Sequence, residues 1–505
     1  MKTKYIILSI FAFLAFSSCS LEEEPYGFYS ESNFYKTNAD ALSAVNYVYD
    51  AMTYLEYFRS IVFLGDMNTS ELHTKSSESQ AVRDISNWNT TNFSTSSILS
   101  TFFKYSYITI NRANSVIENV SQMNIDENLK NQYVGQAYFL RGFSYFKLTT
   151  NFGLVPIHKT TVSTLDETAV PAAESLDEIW DFIISDLKEA VDLMSFNTTI
   201  VVGHADKATA AGMLSKVYLY LASAKEHGVS QYSDMDFDVD EYYTNAVTYA
   251  TMVVDNAEQT TYSLEPNLLN IYDVDNPSDP ELMWLMSMDR TGESEGQYSK
   301  LSKYFLPWTD AGTVNIINAS DSTMIQTHAG WSVYQTGADF YDSFEDNDRR
   351  KTWLICNTLY NEDGTVYQTY PGSLEYPFCR KFIDPEYIGD KTSTKPILLR
   401  YSDVALTYAE AAGPTSKAYA LVNAIRERAG LSDLDANLSK DDFREAVYNE
   451  RKYELAFEGN RSYDIRRWNR MATEIVEVKS QGLTADDVIF YPIPSSETYL
   501  NSYLK

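Results

Sequence analysis

The chain has 505 residues, of which 44% are hydrophobic and 22% are charged, a balance typical of folded proteins that excludes an intrinsically disordered chain. Lysine and arginine number 40 against 70 aspartate and glutamate residues, which gives a formal net charge of −30 and a pI of about 4.5. Because so acidic a surface repels phosphate backbones, we expect no nucleic acid partner.

The first residues have the pattern of an export signal. Two lysines precede an apolar run over residues 5–16, which is too short to cross a bilayer as a helix. The small residues that follow end at Cys19 and resemble a bacterial lipobox, although Phe16 stands where such boxes usually carry leucine. We therefore predict a signal peptide over 1–18 and a lipidated tether with an N-terminal segment over 19–38. Cleavage without a lipid is the alternative.

Apolar residues at helical spacing predict a series of antiparallel helix pairs. The predicted helices cover residues 39–57, 98–120, 128–151, 174–194, 206–225, 239–257, 401–412, 416–429 and 440–458. The third, which contains "GQAYFLRGFSYFKLTTNFG", is apolar on nearly every face and alternates small with aromatic residues. Tetratricopeptide helices share this alternation, because stacked pairs bury a face that one pair cannot bury alone.

Between about 258 and 400 the helical pattern stops. Proline and glycine punctuate this region, and short runs such as 282–286 favour strands, with a hairpin predicted around 361–364. Residues 65–97, which are rich in serine, threonine and asparagine, are predicted to be irregular. The chain thus divides into a helical scaffold and a less regular insert.

No catalytic or metal-binding motif stands out. The five histidines are scattered, and the chain lacks His-x-x-x-His, Cys-x-x-Cys, a Gly-x-Ser-x-Gly elbow and a phosphate loop. "DMDFDVDE" at 234–241 offers oxygens to calcium but departs from the EF-hand pattern, with Asn245 at the terminal glutamate position, so we favour a solvated acidic loop. Cys356 and Cys379 flank the predicted hairpin, where a disulfide and two buried thiols both fit.

The stretch "ERKYELAFEGNRSYDIRRW", residues 450–468, concentrates charge. Glu450, Glu454 and Glu458 recur on one helical face, and Gly459 predicts the end of that helix. Opposite charges come from Arg451, Arg461, Arg466 and Arg467. We interpret the stretch as a paired framework between the last two helices rather than a catalytic or anion site, since arginine–carboxylate pairs are common framework.

Blocks from one end of the chain to the other resemble the SusD/RagB outer-membrane lipoproteins of the Bacteroidetes. Beside the lipobox they are "AYFLRGFSYFKLTTNFGLVPI" (137–157), "DNDRRKTW" (346–353), "LLRYSDVALTYAEAA" (398–412), "VNAIRERAGL" (422–431), "REAVYNERKYELAFEGNRSYDIRRW" (444–468) and "YPIPSSE" (491–497). The resemblance implies one mainly α domain over 39–505. A tetratricopeptide-like scaffold over about 39–257 and 398–470 would carry a variable ligand-binding region over about 258–397, together with loop 65–97.

The resemblance also implies function. Family members are not enzymes: they capture oligosaccharide at the cell surface, anchored to the outer membrane by a lipid on the cysteine that corresponds to Cys19, and deliver it to a SusC-like TonB-dependent transporter. Some carry a structural calcium, whose ligands this sequence does not place; no other cofactor is implied. Two alternatives stay open. One is a relative that captures peptides, and the other is a secreted glycoside hydrolase, since 70 acids supply many carboxylate pairs.

A sugar site needs aromatic faces for the C–H side of the rings and polar groups for the hydroxyls. The resemblance directs attention to loop 65–97 and to the mid-chain region. The candidate ligand-binding residues there are Asp66, Arg83, Trp88, Asn89, Tyr298, Tyr304, Trp308 and Trp331. Trp88 is the strongest candidate because its sequence neighbours are polar, although any of these rings could instead be a buried anchor.

Overall fold

The computed structural model describes residues 34–255 and 260–504. The predicted signal peptide, Cys19 and most of the predicted tether lie outside these described residues. Long helices dominate and the strands are short, which confirms the predicted mainly α fold. None of the helices in the described ranges is long and apolar enough to span a bilayer.

The helices fall into two stretches of chain on either side of the insert. The first stretch contains α1 (Asn38–Met52), α2 (Leu55–Val62), α3 (Gln80–Ser86), α4 (Ser97–Val120), α5 (Glu127–Phe152), α6 (Leu176–Leu193), α7 (Lys207–Glu226) and α8 (Val239–Val254). Within the insert lie α9 (Leu301–Phe305), α10 (Ala338–Asp342) and α11 (Arg349–Trp353). The last stretch contains α12 (Tyr401–Ala412), α13 (Ser416–Arg428), α14 (Lys440–Glu454), α15 (Arg461–Arg467), α16 (Met471–Glu474), α17 (Val476–Ser480), α18 (Ala485–Val488) and α19 (Ser495–Leu500).

Consecutive helices from α4 to α8 pack against each other in turn, and α12 returns to pack on α8 and α13. This stacking of helix pairs is the tetratricopeptide-like superhelix predicted from the sequence. Helix α5 lies inside it and is buried along most of its length. A Cβ on Gly142 would lie 3.1 Å from Leu187, so the missing side chain lets α5 approach α6. The guanidinium of Arg141 grips both oxygens of Asp186 on α6 at 2.7 Å, which fixes the register of the pair.

Two predicted helix boundaries are wrong. The helix predicted over 39–57 is two helices, because the chain leaves helical geometry at Tyr54 (φ −57°, ψ 127°) before α2 begins. Gly296 of the insert packs against this break, since a Cβ on it would lie 3.1 Å from the Thr53 carbonyl oxygen. The helix predicted over 440–458 ends at Glu454, and the chain reverses only at Gly459, which has a φ of +75°.

The strands build small sheets. They are β1 (Leu72–Thr74), β2 (Leu282–Leu285), β3 (Thr313–Ile317), β4 (Met324–His328), β5 (Tyr334–Thr336), β6 (Ile355–Cys356), β7 (Thr358–Tyr360), β8 (Val366–Thr369), β9 (Phe378–Cys379) and β10 (Ile397–Arg400). One sheet has the order β4-β3-β7-β8, and the β7–β8 hairpin confirms the predicted turn around 361–364. Strand β10, at the end of the insert, pairs antiparallel with β2, which lies in its first part.

Residues 65–97 are more regular than predicted. They contain the end of a π-helical turn (Phe63–Met67), β1, α3 and a 3-10 turn (Thr90–Thr95). Strand β1 pairs with β5 of the insert, with Leu72 opposite Thr336. This pairing joins the two regions that the sequence analysis selected for ligand binding, although they lie far apart in the chain.

Cys356 and Cys379 are free and buried. Strands β6 and β9 pair with Ile355 opposite Cys379 and Cys356 opposite Phe378, so the cysteine side chains point to opposite faces of the ladder. Burial raises the pKa of Cys356 to about 11 and that of Cys379 to about 12. The sequence left open a disulfide or two buried thiols, and the structure contains two buried thiols.

The charged stretch 450–468 forms a buried framework, as predicted, but many of its partners come from elsewhere in the chain. Glu454 is fully buried and accepts hydrogen bonds from Arg400 and Arg428, each at 2.6 Å. Burial alone would raise the pKa of Glu454, yet these guanidinium groups hold it well below its usual range. The stretch therefore ties α14 to α13 and to the end of the insert.

The acidic segment at 234–241 begins helix α8. Asp238 is its N-cap, and its carboxylate accepts a hydrogen bond from the Glu241 amide at 2.8 Å. Among the residues that the structure describes, no group of three or more His, Cys, Asp or Glu side chains is arranged to hold a metal ion.

Candidate ligand-binding surface

Two insert segments run side by side where they meet α2 and β1. The first is α9 with the residues that follow it, and the second is 329–332. The Gly330 amide donates to the Pro307 carbonyl at 2.8 Å, and the Trp331 amide donates to the Lys303 carbonyl at 2.6 Å. A Cβ on Gly330 would lie 1.9 Å from the Leu306 carbonyl oxygen, so the close approach of the two segments requires glycine.

This pairing places two tryptophans on neighbouring segments. Trp308 is 61% exposed, and its amide is held by the Ser332 hydroxyl at 2.9 Å. Trp331 is half-buried, and its ring meets the ring of Tyr304 edge to face at a centroid distance of 5.3 Å. Tyr304 in turn stacks on Tyr334 at 5.3 Å. We call Trp308 and Trp331, together with the Tyr304 ring that supports Trp331, the aromatic surface.

Two cations, Arg59 and Lys75, and one carboxylate, Glu56, border the aromatic surface. Arg59 on α2 donates to the Tyr304 hydroxyl at 3.3 Å and lies over its ring, with Cζ 5.3 Å from the centroid. It also forms an ion pair with Glu56. Lys75, which follows β1, donates to the Trp331 carbonyl at 2.7 Å. Rings with apolar faces therefore lie beside both hydrogen-bond donors and hydrogen-bond acceptors.

Trp88, the strongest sequence candidate, is wrong as an exposed ring. It is 1% exposed, its Nε1 donates to the Asn68 carbonyl at 2.8 Å, and its ring stacks on Tyr491 at 5.7 Å. Asp66 is wrong as a surface ligand group for the same reason, since it is fully buried and accepts the backbone N–H of Gly459 at 2.6 Å. Both residues fasten loop 65–97 to the C-terminal helices.

Arg83 and Asn89 are half-exposed, and both support the loop that contains them. Arg83 donates to the Ser76 carbonyl at 3.2 Å and also to the Glu78 carbonyl, so it holds the turn that follows Lys75. Asn89 donates to the Asp84 carboxylate at 2.9 Å. Neither side chain belongs to the aromatic surface.

Tyr298 and Tyr304 are largely covered, with 9% and 6% exposure, so the prediction that each presents an open ring is wrong. Tyr298 lies just before α9 with the ammonium of Lys391 4.9 Å from its ring centroid. Tyr304 supports Trp331 from below. Of the candidate rings, Trp308 and Trp331 are thus the ones with free faces or edges.

Sequence reasoning did not select Arg59 or Lys75. Each is an ordinary charged residue near the end of a short element, and no motif marks either of them. Their position beside the aromatic surface depends on the break between α1 and α2 and on the β1–β5 pairing, neither of which was predicted.

Hydrolysis of a glycoside would require two carboxyl groups that a substrate can reach. Asp66 and Glu71 are neighbours, and both are fully buried. Burial raises the pKa of Asp66 to about 7, and burial together with the Asp66 charge raises the pKa of Glu71 to about 8. No substrate can reach this pair while the fold is intact, so it does not support a hydrolase.

Comparisons with known proteins agree along the chain. Family models match residues 234–505 (SusD family), more than half of the chain, and residues 29–219 (starch-binding associating with outer membrane). SusD-like protein P2 of Formosa agariphila is 27% identical, covering 99% of this chain and 98% of its own. A SusD-like protein of Bacteroides ovatus is 26% identical over 93% of this chain and 83% of its own.

Solved structures show the same fold. A SusD homolog from Bacteroides thetaiotaomicron has a TM-score of 0.76 at 20% identity and covers 94% of this chain and 98% of its own. A laminarin-binding SusD-like protein has a TM-score of 0.75 at 21% identity, with coverages of 92% and 98%. NanU of B. fragilis has a TM-score of 0.74 at 20% identity, with coverages of 95% and 98%.

Proposed function

Because this chain belongs to the SusD family, we propose that it is a cell-surface lipoprotein that binds a glycan on its aromatic surface. The observation that carries the proposal is the exposure of Trp308. All seven tryptophans lie in the described residues, and the other six are buried or half-buried. An exposed indole offers the flat apolar face that a sugar ring needs to stack on.

The groups around the aromatic surface suit a sugar. A pyranose offers an apolar C–H face to an aromatic ring and hydroxyls that both donate and accept hydrogen bonds. The Arg59 and Lys75 cations and the Glu56 carboxylate provide donors and acceptors at the edge of the aromatic surface. Since backbone pairing holds the Trp308 segment in place, little ordering entropy is lost on binding.

The proposal includes how the glycan is used. Lipidation at Cys19 would anchor the protein to the outer membrane, facing outwards, and the bound oligosaccharide would pass to a SusC-like TonB-dependent transporter. The protein itself would break no bond. A laminarin-binding protein among the similar structures makes laminarin the natural first polysaccharide to test.

The test is retardation of the protein in native gels cast with a panel of polysaccharides that starts with laminarin. We expect at least one polysaccharide to retard the wild type and Trp308→Ala to abolish most of that retardation. Tyr499→Ala is the matched control, because it removes an exposed ring from α19, which packs against α4 and the Thr90–Thr95 turn. Unchanged retardation of Trp308→Ala would contradict the site, and retention of peptides but not of polysaccharides would favour the peptide-capturing alternative.

A further inference from the structure

A cavity of about 380 Å³ opens at the turn of the β3–β4 hairpin. Its apolar lining includes Leu269, Leu354 and Ile383, and its size lies in the range of about 300–1,000 Å³ that is typical of small-molecule sites. The aromatic surface is next to the other end of this hairpin, where the Ala329 amide donates to the Gly312 carbonyl at 2.9 Å. At about 3.4 Å per residue, five-residue strands separate the two places by roughly 17 Å.

Arg380 lines the cavity and has unused donors. Within the described ranges its guanidinium makes a single hydrogen bond, from Nη1 to Asn318 Oδ1 at 3.5 Å, and forms no ion pair. A half-buried arginine with five donors usually has a carboxylate or several carbonyls as partners. Other arginines of this protein follow that rule, as Arg400 and Arg428 do on Glu454.

Two carboxylates on the rim add unused acceptors. Asp321 Oδ1 accepts from the Thr323 amide at 2.9 Å and from its hydroxyl at 2.7 Å, and Asp273 Oδ1 accepts from the Asp275 amide at 3.0 Å. In the part of the chain that the structure describes, the second oxygen of each carboxylate accepts no hydrogen bond. The cavity therefore offers fixed acceptors on its rim as well as the Arg380 donors.

We propose that this cavity is a second carbohydrate site, which binds one or two units of a neutral glycan. Hydroxyl groups are the ligands that use donors and acceptors at once, and the apolar lining accommodates C–H faces. Two free carboxylates against one free guanidinium disfavour an anionic sugar. The choice of a sugar rests on the proposed function, whereas the location rests on the cavity alone.

The experiment is saturation-transfer NMR with maltose, cellobiose and laminaribiose on the full chain. In the Trp308→Ala background, where the aromatic surface has lost its exposed ring, we expect at least one disaccharide still to bind. Arg380→Ala and Asp321→Asn should each weaken that binding about tenfold, the loss typical of one hydrogen bond to a charged group. Asp363→Asn is the matched control, because Asp363 holds Thr365 on the β7–β8 turn with the same two contacts, at 3.0 and 2.7 Å, outside the cavity.

Two outcomes would overturn the second site: no disaccharide binds Trp308→Ala, or binding in that background survives both Arg380→Ala and Asp321→Asn. Loss of binding in Trp308→Ala alone would place the disaccharide on the aromatic surface instead. Failure of the proposed function looks different, because it would leave polysaccharide retention unchanged in Trp308→Ala whatever the disaccharides do.

Discussion

Trp88 and Trp308 differ in what surrounds their rings, and sequence neighbours do not report this difference. Trp88 follows α3 in a left-handed turn (φ +53°) among polar residues, yet its ring is enclosed by Tyr491 and Phe93. Trp308 lies in the chain directly after the buried Pro307, yet its ring is exposed. The candidate list from the sequence contained both, and only contacts with distant segments separate them.

Substitution of the two tryptophans should therefore have opposite consequences. Trp88→Ala opens a cavity and removes the hydrogen bond to Asn68, and we expect a loss of about 3–5 kcal/mol in the free energy of unfolding. Trp308→Ala should change that free energy by less than about 0.5 kcal/mol. Urea denaturation measures both. A stability loss in Trp308→Ala as large as that in Trp88→Ala would show that the exposed ring is structural.

At the scale of elements, the aromatic surface depends on the pairing of α9 and its following turn with the segment 329–332. The sequence predicts an irregular insert with short strands, and the structure confirms it. No pattern in the sequence predicts that this insert pairs with β1, or that α2 brings Arg59 beside the aromatic surface. Such pairings have no period in the sequence, because the partners come from separate parts of the chain.

Gly330→Ala tests that pairing. Its Cβ would collide with the Leu306 carbonyl oxygen, so the two segments must separate or shift. We expect a loss of about 1–3 kcal/mol in stability, as for overpacked sites, together with at least tenfold weaker glycan binding by calorimetry. Gly228→Ala is the control: it replaces a glycine with space around it, and it should leave glycan binding unchanged although its φ of +67° makes it mildly destabilising. Full glycan affinity in Gly330→Ala would contradict the role of the pairing.

At the scale of the whole molecule, a chain with a net charge of −30 still buries many acids. Most have cations beside them, as Glu454 does. Glu71 differs from these acids: neither of its carboxylate oxygens accepts a hydrogen bond in the described residues, and its ion pair with Arg461 Nε is long, at 3.8 Å. Its proton therefore stays on in the folded state to a higher pH than in the unfolded chain.

Stability should reflect this proton. The pKa of Glu71 is about 8 when folded against about 4.5 in the unfolded chain, so its contribution is complete below about pH 4.5 and is lost as the pH rises through about 8. We expect the free energy of unfolding to fall between about pH 4.5 and about pH 8, by up to about 1.4 kcal/mol per pH unit, with a parallel fall in melting temperature, and Glu71→Gln to flatten that decline. Thermal unfolding followed by circular dichroism at a series of pH values measures this decline. Glu362→Gln on the exposed β7–β8 turn should keep the wild-type slope, and an equal slope in Glu71→Gln would assign the proton elsewhere.

The amino-acid order was enough to predict the mainly helical scaffold, most helix positions and the charged framework, because helix periodicity and opposite charges are expressed among near neighbours in the chain. The exposure of a ring is not a local property. Trp88 is buried by Asn68 and Tyr491, and Trp308 is displayed by the pairing around Gly330. Which candidates face water, and where the cavity at the β3–β4 turn lies, therefore followed from long-range packing, whose geometry no local pattern contains.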